Sequence, residues 1–472
     1  MNHNDIPPTR LQMLTTPYLS AYLNKRLVRA CKNGDLYHVQ GALADGATVN
    51  YWDDKDGMTP LHWAVERDYY HIAACLLQVP DIQVDCLDRF QCTPLSVACE
   101  KSSLAMVDIL LRHGADVNHA DIDGWSPLHW TRSTVVAERL LQQPNVDINA
   151  VDQEGESALH LKVDDGDLQV AAYLLEKGAN VNLANKDGWA PLQTATNNYD
   201  LQMTELLLRH GANLFYECPK GTSPLMSTCL AGMHHVPLDL MPDNNNGNNN
   251  NTSNYMVVDD SNYRANKKLA MATILLQGGA DPTRLHSCGL SPLHYVCEKG
   301  RATDIFLLML EYCTTTMDLN AVLTAENAET PLHSACRGGN VEMVQMLLAR
   351  GASMTAKARD GRTPWMMACE GNHVHLVRWL LQDGMLDQSS TAIILQCACQ
   401  YRCLDVVKML CEEFQCQVDY CSDSGLSSPL ESACAHSQLD TIMYLLRDHV
   451  AFLHLGGSAS GCSRMAIEEE YI

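Results

Sequence analysis

The chain has 472 residues and a formal net charge of -23, which argues against sequence-independent nucleic-acid binding, because that needs lysine and arginine to neutralise phosphates. No apolar run approaches the roughly 20 residues that span a bilayer, and the polar opening Met1-Asn2-His3-Asn4-Asp5 lacks the basic-then-apolar pattern of a secretory signal. A cytoplasmic or nuclear protein without membrane insertion is expected, its 20 cysteines reduced and packed as small hydrophobes.

A phrase of the form Thr/Ser-Pro-Leu-His begins at Thr59 and returns, with variants, at Thr93, Ser126, Ser157, Ala190, Ser223, Ser291, Thr330, Thr363 and Ser428. Most intervals are 33 or 34 residues, a period that signals stacked supersecondary units. A second signature follows inside each repeat, as in Leu110-Leu111-Arg112-His113-Gly114-Ala115 and Leu347-Leu348-Ala349-Arg350-Gly351-Ala352. A third is the Asp-Gly turn at Asp56-Gly57, Asp123-Gly124, Asp187-Gly188 and Asp360-Gly361.

In chain order, residues 1–23 lack the full pattern, and Leu19, Tyr22 and Leu23 suggest a short helix that caps the first repeat. Residues 24–222 hold repeats one to six; the fourth is short, with Trp130-Thr131-Arg132-Ser133-Thr134 replacing the usual glycine turn. The seventh repeat, 223–290, carries an insertion at about 233–266 that includes the asparagine tract Asn244 to Asn251. Such a polar tract cannot build a core, so disorder is expected, with helix two resuming near Lys267. Residues 291–449 hold repeats eight to twelve, and Thr391 opens one without a proline, where a bend or a weakened interface is expected. Residues 450–472 form a glycine-rich, then acidic tail that is expected to be loose.

The physics of one repeat follows from its residues. The Thr or Ser hydroxyl accepts from free amides at a helix start, worth about 1 kcal/mol, and proline at the first helical position loses no needed hydrogen bond. In repeat nine, Leu332, Ala335 and Cys336 form one apolar face, Gly338-Gly339 ends the helix, and Val341, Val344, Leu347 and Leu348 form a second stripe. Gly351 suits a left-handed cap, and Asp-Gly suits a reversal into the next phrase.

These elements in this order resemble ankyrin repeats from about Asn24 to about His449. The resemblance implies an all-α repeat fold, an ankyrin solenoid of about twelve helix-turn-helix units with β-hairpin fingers and a concave binding face. It also implies that His62, His129, His160, His294 and His333 tie neighbouring repeats together by hydrogen bonds to backbone. Cys99, Cys297, Cys336, Cys369 and Cys434 occupy a slot where the family carries a small buried alanine. The denser group Cys397, Cys399, Cys403, Cys411, Cys416 and Cys421 contains no Cys-x-x-Cys, and a helical stripe runs through it, so packed thiols are expected there and no metal. No catalytic or phosphate-binding signature escapes the repeat pattern. A non-enzymatic protein without cofactor is expected.

Recognition is the expected function, as a protein-interaction adaptor or scaffold. Fingers in the first half set acids beside aromatics, and Trp52, Asp53, Asp54, Asp121, Asp123, Trp125, Asp187 and Trp189 are candidates to bind a basic or mixed-charge protein segment. Lys357, Arg359 and Arg362 make one later tip basic. The competing reading is that Asp-Gly is turn chemistry and the tryptophans fill gaps between fingers. Asn118 and Asn149 resemble sites that asparaginyl hydroxylases modify in ankyrin repeats, with structural asparagine as the alternative. Asp423-Ser424-Gly425-Leu426-Ser427-Ser428 resembles a phosphorylated F-box degron, which makes Ser424 and Ser428 candidate modification sites and admits a degradation-switched inhibitor like the ankyrin inhibitors of NF-κB. A ubiquitin-ligase substrate receptor is the other alternative, although no recruitment box is evident after His449.

Overall fold

The computed structural model describes residues 16–53, 57–218, 221–230, 260–286, 290–300, 302–313, 319–320, 329–386, 391–414, 416 and 428–448. The chain divides into two compact units, Met1–Gly279 and Ala280–Ile472. The first contains α1 (Thr16–Asn33), α2 (Leu36–Ala44), α3 (Pro60–Glu66), α4 (Tyr70–Leu76), α5 (Pro94–Glu100), α6 (Leu104–Arg112) and α7 (Pro127–Trp130). It continues with α8 (Thr134–Leu141), α9 (Ala158–Asp164), α10 (Leu168–Glu176), α11 (Pro191–Asn197), α12 (Leu201–Arg209), α13 (Pro224–Leu230) and α14 (Asp260–Gln277). The second contains α15 (Pro292–Lys299), α16 (Thr303–Tyr312), α17 (Pro331–Gly338), α18 (Val341–Ala349) and α19 (Pro364–Glu370). It ends with α20 (Val374–Gln382), α21 (Thr391–Gln400), α22 (Leu404–Phe414), α23 (Pro429–Ala435) and α24 (Leu439–Asp448). Among the described residues these 24 helices pair off as successive helical hairpins, and no strand occurs.

The recurring phrase starts the first helix of most pairs. Thr59 is extended and caps α3 by accepting from the His62 amide, with Pro60 in the first turn. Second helices are capped by Asp35, Asp167, Asp200 and Asn340, each accepting from the amide three residues on. First helices then stack on first helices and second on second: α3 on α5, α5 on α7, α4 on α6 and α6 on α8 in the first unit, and α15 on α17, α17 on α19 and α18 on α20 in the second. Leu61, Ala64, Leu95, Ala98, Leu110 and Leu140 are buried in one continuous layer of the first unit. Each leucine so placed contributes about 1.5–3 kcal/mol over leaving it in water. Small residues such as Ala64 and Ala98 let the first helices approach closely.

Three features differ from the sequence expectation, and the short fourth repeat follows it, stacking through a tightened inter-helix loop. Leu19, Tyr22 and Leu23 do not form a separate cap; they lie on α1, which runs straight into the first repeat, and only Leu23 of the three is buried. In the fourth repeat the missing glycine turn truncates α7 to four residues, and Thr131 continues in extended conformation while its hydroxyl donates to the Pro127 carbonyl (3.0 Å). The second helix of the seventh repeat begins at Asp260 rather than near Lys267, so it takes in residues 260–266; the rest of the insertion lies outside the described residues. Cys434 is exposed, whereas Cys99, Cys297, Cys336 and Cys369 are buried. The reason is positional: α23 is the last first-helix among the described residues, and no later one stacks over it. At Thr391 the missing proline does not prevent stacking, since α21 packs between α19 and α23.

Candidate partner-binding surface

The fingers between repeats are tight turns. In the first unit Asp88, Asp121, Asp152 and Asn185 open the turns, and each backbone amide donates to the carbonyl four residues on, at Cys92, Trp125, Glu156 and Trp189 (2.9–3.1 Å). The side chains close the same turns from inside: Asp121 Oδ1 accepts from the Asp123 and Trp125 amides (3.0 and 2.8 Å), and Asp152 Oδ1 from the Glu154 and Glu156 amides (3.0 and 2.7 Å). Successive tips are joined through backbone, Ile122 N–H to Phe90 O (2.9 Å), Gln153 N–H to Asp123 O (3.0 Å) and Lys186 N–H to Glu154 O (2.8 Å).

This network sorts the predicted recognition residues. Asp121 is buried, and its Oδ2 accepts from the Trp130 indole (2.9 Å), so its carboxylate is committed to the fold. Trp125 is half-buried; its indole donates to Asp152 Oδ2 (3.0 Å) and its ring packs on Trp130 at 4.7 Å between centroids. Both therefore have structural partners. Asp123 and Asp187 are exposed, Trp189 is half-buried, and Trp52 is 47% exposed. Asp53 is half-buried and paired with Lys32 (2.9 Å), while Asp54 lies outside the described residues. In the second unit Lys357 and Arg359 are exposed, but Arg362 is held by Asp360 and by Glu370 (2.7 Å). That pairing offsets the charge of Arg362, while Lys357 and Arg359 remain exposed at this tip.

The candidate modification sites also have structural partners. Asn118 donates Nδ2–H to the Asn145 carbonyl (2.6 Å) and accepts from the Asp147 amide (3.1 Å), and Asn149 accepts from the Asn180 amide (2.8 Å). Asn50 and Asn182 bond the following repeat in the same way, so these asparagines form a ladder along the first unit. Ser428 caps α23, accepting from the Glu431 amide (3.2 Å) while Glu431 accepts from Ser428 N–H (2.9 Å). Ser424 lies outside the described residues.

The five phrase histidines act alike. Ser126 N–H donates to His129 Nδ1 (3.1 Å), which leaves the proton on Nε2, and that donates to the Glu156 carbonyl of the next finger (3.1 Å). His62, His160, His294 and His333 reach Cys92, Trp189, Glu329 and Arg362 carbonyls in the same manner (3.0–3.3 Å). Burial holds all five below the ordinary imidazole range, with His294 down to about 4. Burial likewise pushes the Cys99 thiol up to about 12, which makes it a packing group rather than a nucleophile. Cys397, Cys399, Cys403 and Cys411 are buried too, and the Cys403 thiol donates to the Cys369 carbonyl (2.6 Å); Cys421 lies outside the described residues.

What sequence inspection missed, Trp52 aside, is an apolar line across consecutive fingers. Trp52, Leu87 and Val151 stand two residues after Asn50, Asp85 and Asn149, and all three are exposed, as are the neighbouring tip residues Phe90 (61%) and Ile122. The common offset of Trp52, Leu87 and Val151 from the Asn/Asp ladder was a usable signal.

A family profile described as "Ankyrin repeats (3 copies)" matches residues 27–121, 80–133, 118–185, 163–254, 262–358 and 353–422. The chain belongs to the ankyrin-repeat family. Among curated ankyrin relatives, the I-Kappa-B like protein C2 of Microplitis demolitor bracovirus is 37% identical over 70 residues, 15% of this chain and 39% of that protein. Ankyrin repeat protein nuc-2 of Neurospora crassa is 32% identical over 165 residues, 34% of this chain and 15% of that protein. The chain thus spans less than half the length of either relative. The solved ankyrin repeat domain of Bcl-3, described as a member of the IkappaB protein family, is 25% identical with a TM-score of 0.44, covering 54% of this chain and 100% of that one. Ankyrin repeats mediate protein–protein interaction and are typically non-catalytic. Among the described residues no helix is long and apolar enough to cross a membrane.

Proposed function

We propose that this ankyrin chain is a non-catalytic adaptor or scaffold of the cytoplasm or nucleus. Its finger tips and first helices hold a protein segment of basic or mixed charge, not nucleic acid. The observation that carries the reading is the exposed line Trp52, Leu87, Phe90, Ile122 and Val151 on consecutive fingers, set beside exposed Asp123, Glu154 and Asp187. Large apolar side chains gathered at a rim of acids mark a protein interface. The phrase histidines are bonded and most of the phrase-slot thiols packed as structural parts, which favours binding over chemistry. Trp52 is the leading anchor and Trp189, four fingers further along, a second; Trp125 contributes by holding two fingers together.

Affinity capture from cells with the full chain and with the Trp52→Ala, Phe90→Ala double variant tests this. Partners lost from the double variant, while its melting temperature stays unchanged, are the expected result. Identical captures overturn the assignment of the first-unit fingers as the working surface, and co-captured cullin subunits in both samples favour the ligase-receptor reading.

A second reading, a degradation-switched sequestering inhibitor, is favoured by the local likeness to the IkappaB-like viral protein. It requires modification of Ser424 and Ser428, the latter a helix cap whose release would weaken α23. An unchanged cellular half-life after Ser424→Ala with Ser428→Ala dismisses it.

A further inference from the structure

A cavity of about 280 Å³ opens in the first unit between the fingers and the first helices of repeats five and six. Glu156, Asp164 and Asp187 bring three carboxylates to it, Trp189 supplies an indole wall, and no lysine or arginine lines it. The carboxylates have only neutral partners among their hydrogen bonds: Glu156 Oε1 accepts from Asn185 Nδ2 (2.9 Å) and Asp164 Oδ1 from Asn198 Nδ2 (3.1 Å). The volume is just under that of sites for drug-sized ligands, about 300–1,000 Å³, and suits one long side chain.

The repeat register offers a comparison: an acid stands in the place of Asp164 in four other repeats (Glu66, Glu100, Glu298 and Glu370), and Glu66 and Glu370 pair there with Lys101 (2.9 Å) and Arg362 (2.7 Å) of the chain, whereas two grooves carry a cation in that place. Asp164 stands two residues before Gly166 at the end of a first helix; Lys32 stands two before Gly34, and Arg337 two before Gly339, with all three glycines left-handed. In the first groove Lys32 Nζ reaches Asp53 (2.9 Å) and lies 4.0 Å from the centroid of the Trp63 ring. In the groove of repeats nine and ten Arg337 bridges Glu329, the residue before the phrase, and Met367, the fifth residue of the next phrase (3.5 Å to Sδ). The repeat five groove keeps the same frame: Glu156 occupies the place of Glu329, and Thr194 the place of Trp63 and Met367. Asp164 stands where those two grooves carry a cation, and the smaller Thr194 leaves the space open.

We infer that this cavity takes a lysine or arginine side chain from the bound partner segment, which supplies from outside the cation that Lys32 and Arg337 supply from within the chain. The stem lies against Trp189 and the charged head among Glu156, Asp164 and Asp187, an arrangement that uses both ring-face attraction and charge-assisted hydrogen bonds. The inference rests on the adaptor reading and names the chemistry that one of its subsites selects.

A positional-scanning peptide library panned on the full-length chain provides the test. Selected peptides are expected to share one fixed lysine or arginine, and replacing it with norleucine is expected to weaken binding about tenfold or more. Asp164→Lys, which fills the cavity as Lys32 fills its own groove, is expected to weaken the same peptides as much without lowering the melting temperature. Glu156→Gln, which keeps the Asn185 contact, is expected to do so more mildly. Selected peptides without a fixed cation, or with undiminished affinity for Asp164→Lys, overturn the cavity assignment and leave the adaptor reading standing. Enrichment of no peptide at all counts against both.

Discussion

Two fingers with the same backbone turn are held by different chemistry. At 121–125 in the first unit, Asp121 N–H donates to Trp125 O and Gly124 N–H to Asp121 O; at 358–362 in the second, Ala358 N–H donates to Arg362 O and Gly361 N–H to Ala358 O. The first turn is locked by the buried Asp121 carboxylate and tied to its neighbours by backbone bonds. The second has Ala358 in that place and relies on the ion pairs of Arg362 with Asp360 and Glu370 at the surface. Buried charge-assisted bonds to amides are worth several times an exposed ion pair. The family turn is therefore a backbone solution that the side chains support with very different strength.

Acid breaks what the two regions share. The phrase histidines of both units have folded pKa values below the unfolded value of about 6.5, so above that pH neither state binds the proton and stability is intact. Below it the unfolded chain gains protons that the folded chain refuses, and stability falls until the folded pKa is reached, about 4 for His294. His294 alone contributes a loss of about 3 kcal/mol over that window. Urea midpoints measured from pH 7.5 down to 4.5 are expected to drop steadily. His294→Gln is expected to flatten part of the slope, because Gln193 already makes the equivalent bond to the Tyr216 carbonyl (3.2 Å).

Gly124→Ala against Gly361→Ala sharpens the contrast. Both glycines are left-handed (φ +87° and +84°). A Cβ on Gly124 would stand 2.8 Å from Gln153 N and 2.9 Å from Asp152 Cα, whereas one on Gly361 meets nothing within 4 Å. Gly124→Ala is expected to cost about 3 kcal/mol from clash and strain together, and Gly361→Ala about 1 kcal/mol from strain alone. Equal losses in denaturant melts would mean that the first-unit fingers yield as easily as the second.

Asp121→Ala removes the acceptor for two amides and one indole, and is expected to cost about 2 kcal/mol at any salt concentration. Arg362→Ala is expected to cost under about 1 kcal/mol, and that loss should vanish in 1 M salt, where exposed pairs are screened over roughly 3 Å. A salt-sensitive Asp121→Ala or a salt-insensitive Arg362→Ala would reverse the assignment of the two mechanisms.

Much of the architecture was legible because each repeat repeats its own local rules. Thr59, Ser126 and Thr330 as caps, the prolines that follow them and the left-handed Gly351 act within a few residues, so sequence spacing suffices to place them. The failures came where a neighbour repeat decides. Cys434 fits the same slot as Cys369, yet among the described residues only the latter has another first helix over it. The extension of α1 back to Thr16 crosses the boundary drawn at Asn24 because helix propagation needs no repeat phrase.

The sequence by itself determined the period, the two helices per repeat and their caps, since each depends on residues a fixed distance apart. Only the tertiary structure decided that Asp121 and Trp125 bond inward while Asp123, Asp187 and Trp52 face water. It alone brought Glu156, Asp164, Asp187 and Trp189 around one cavity. The physical reason is that a side chain on a finger or helix end can satisfy its charge within its own repeat, against the next one, or in a partner. Which of these it does depends on the size and charge of residues about one repeat away, such as Thr194 in place of Trp63, and not on its own spacing.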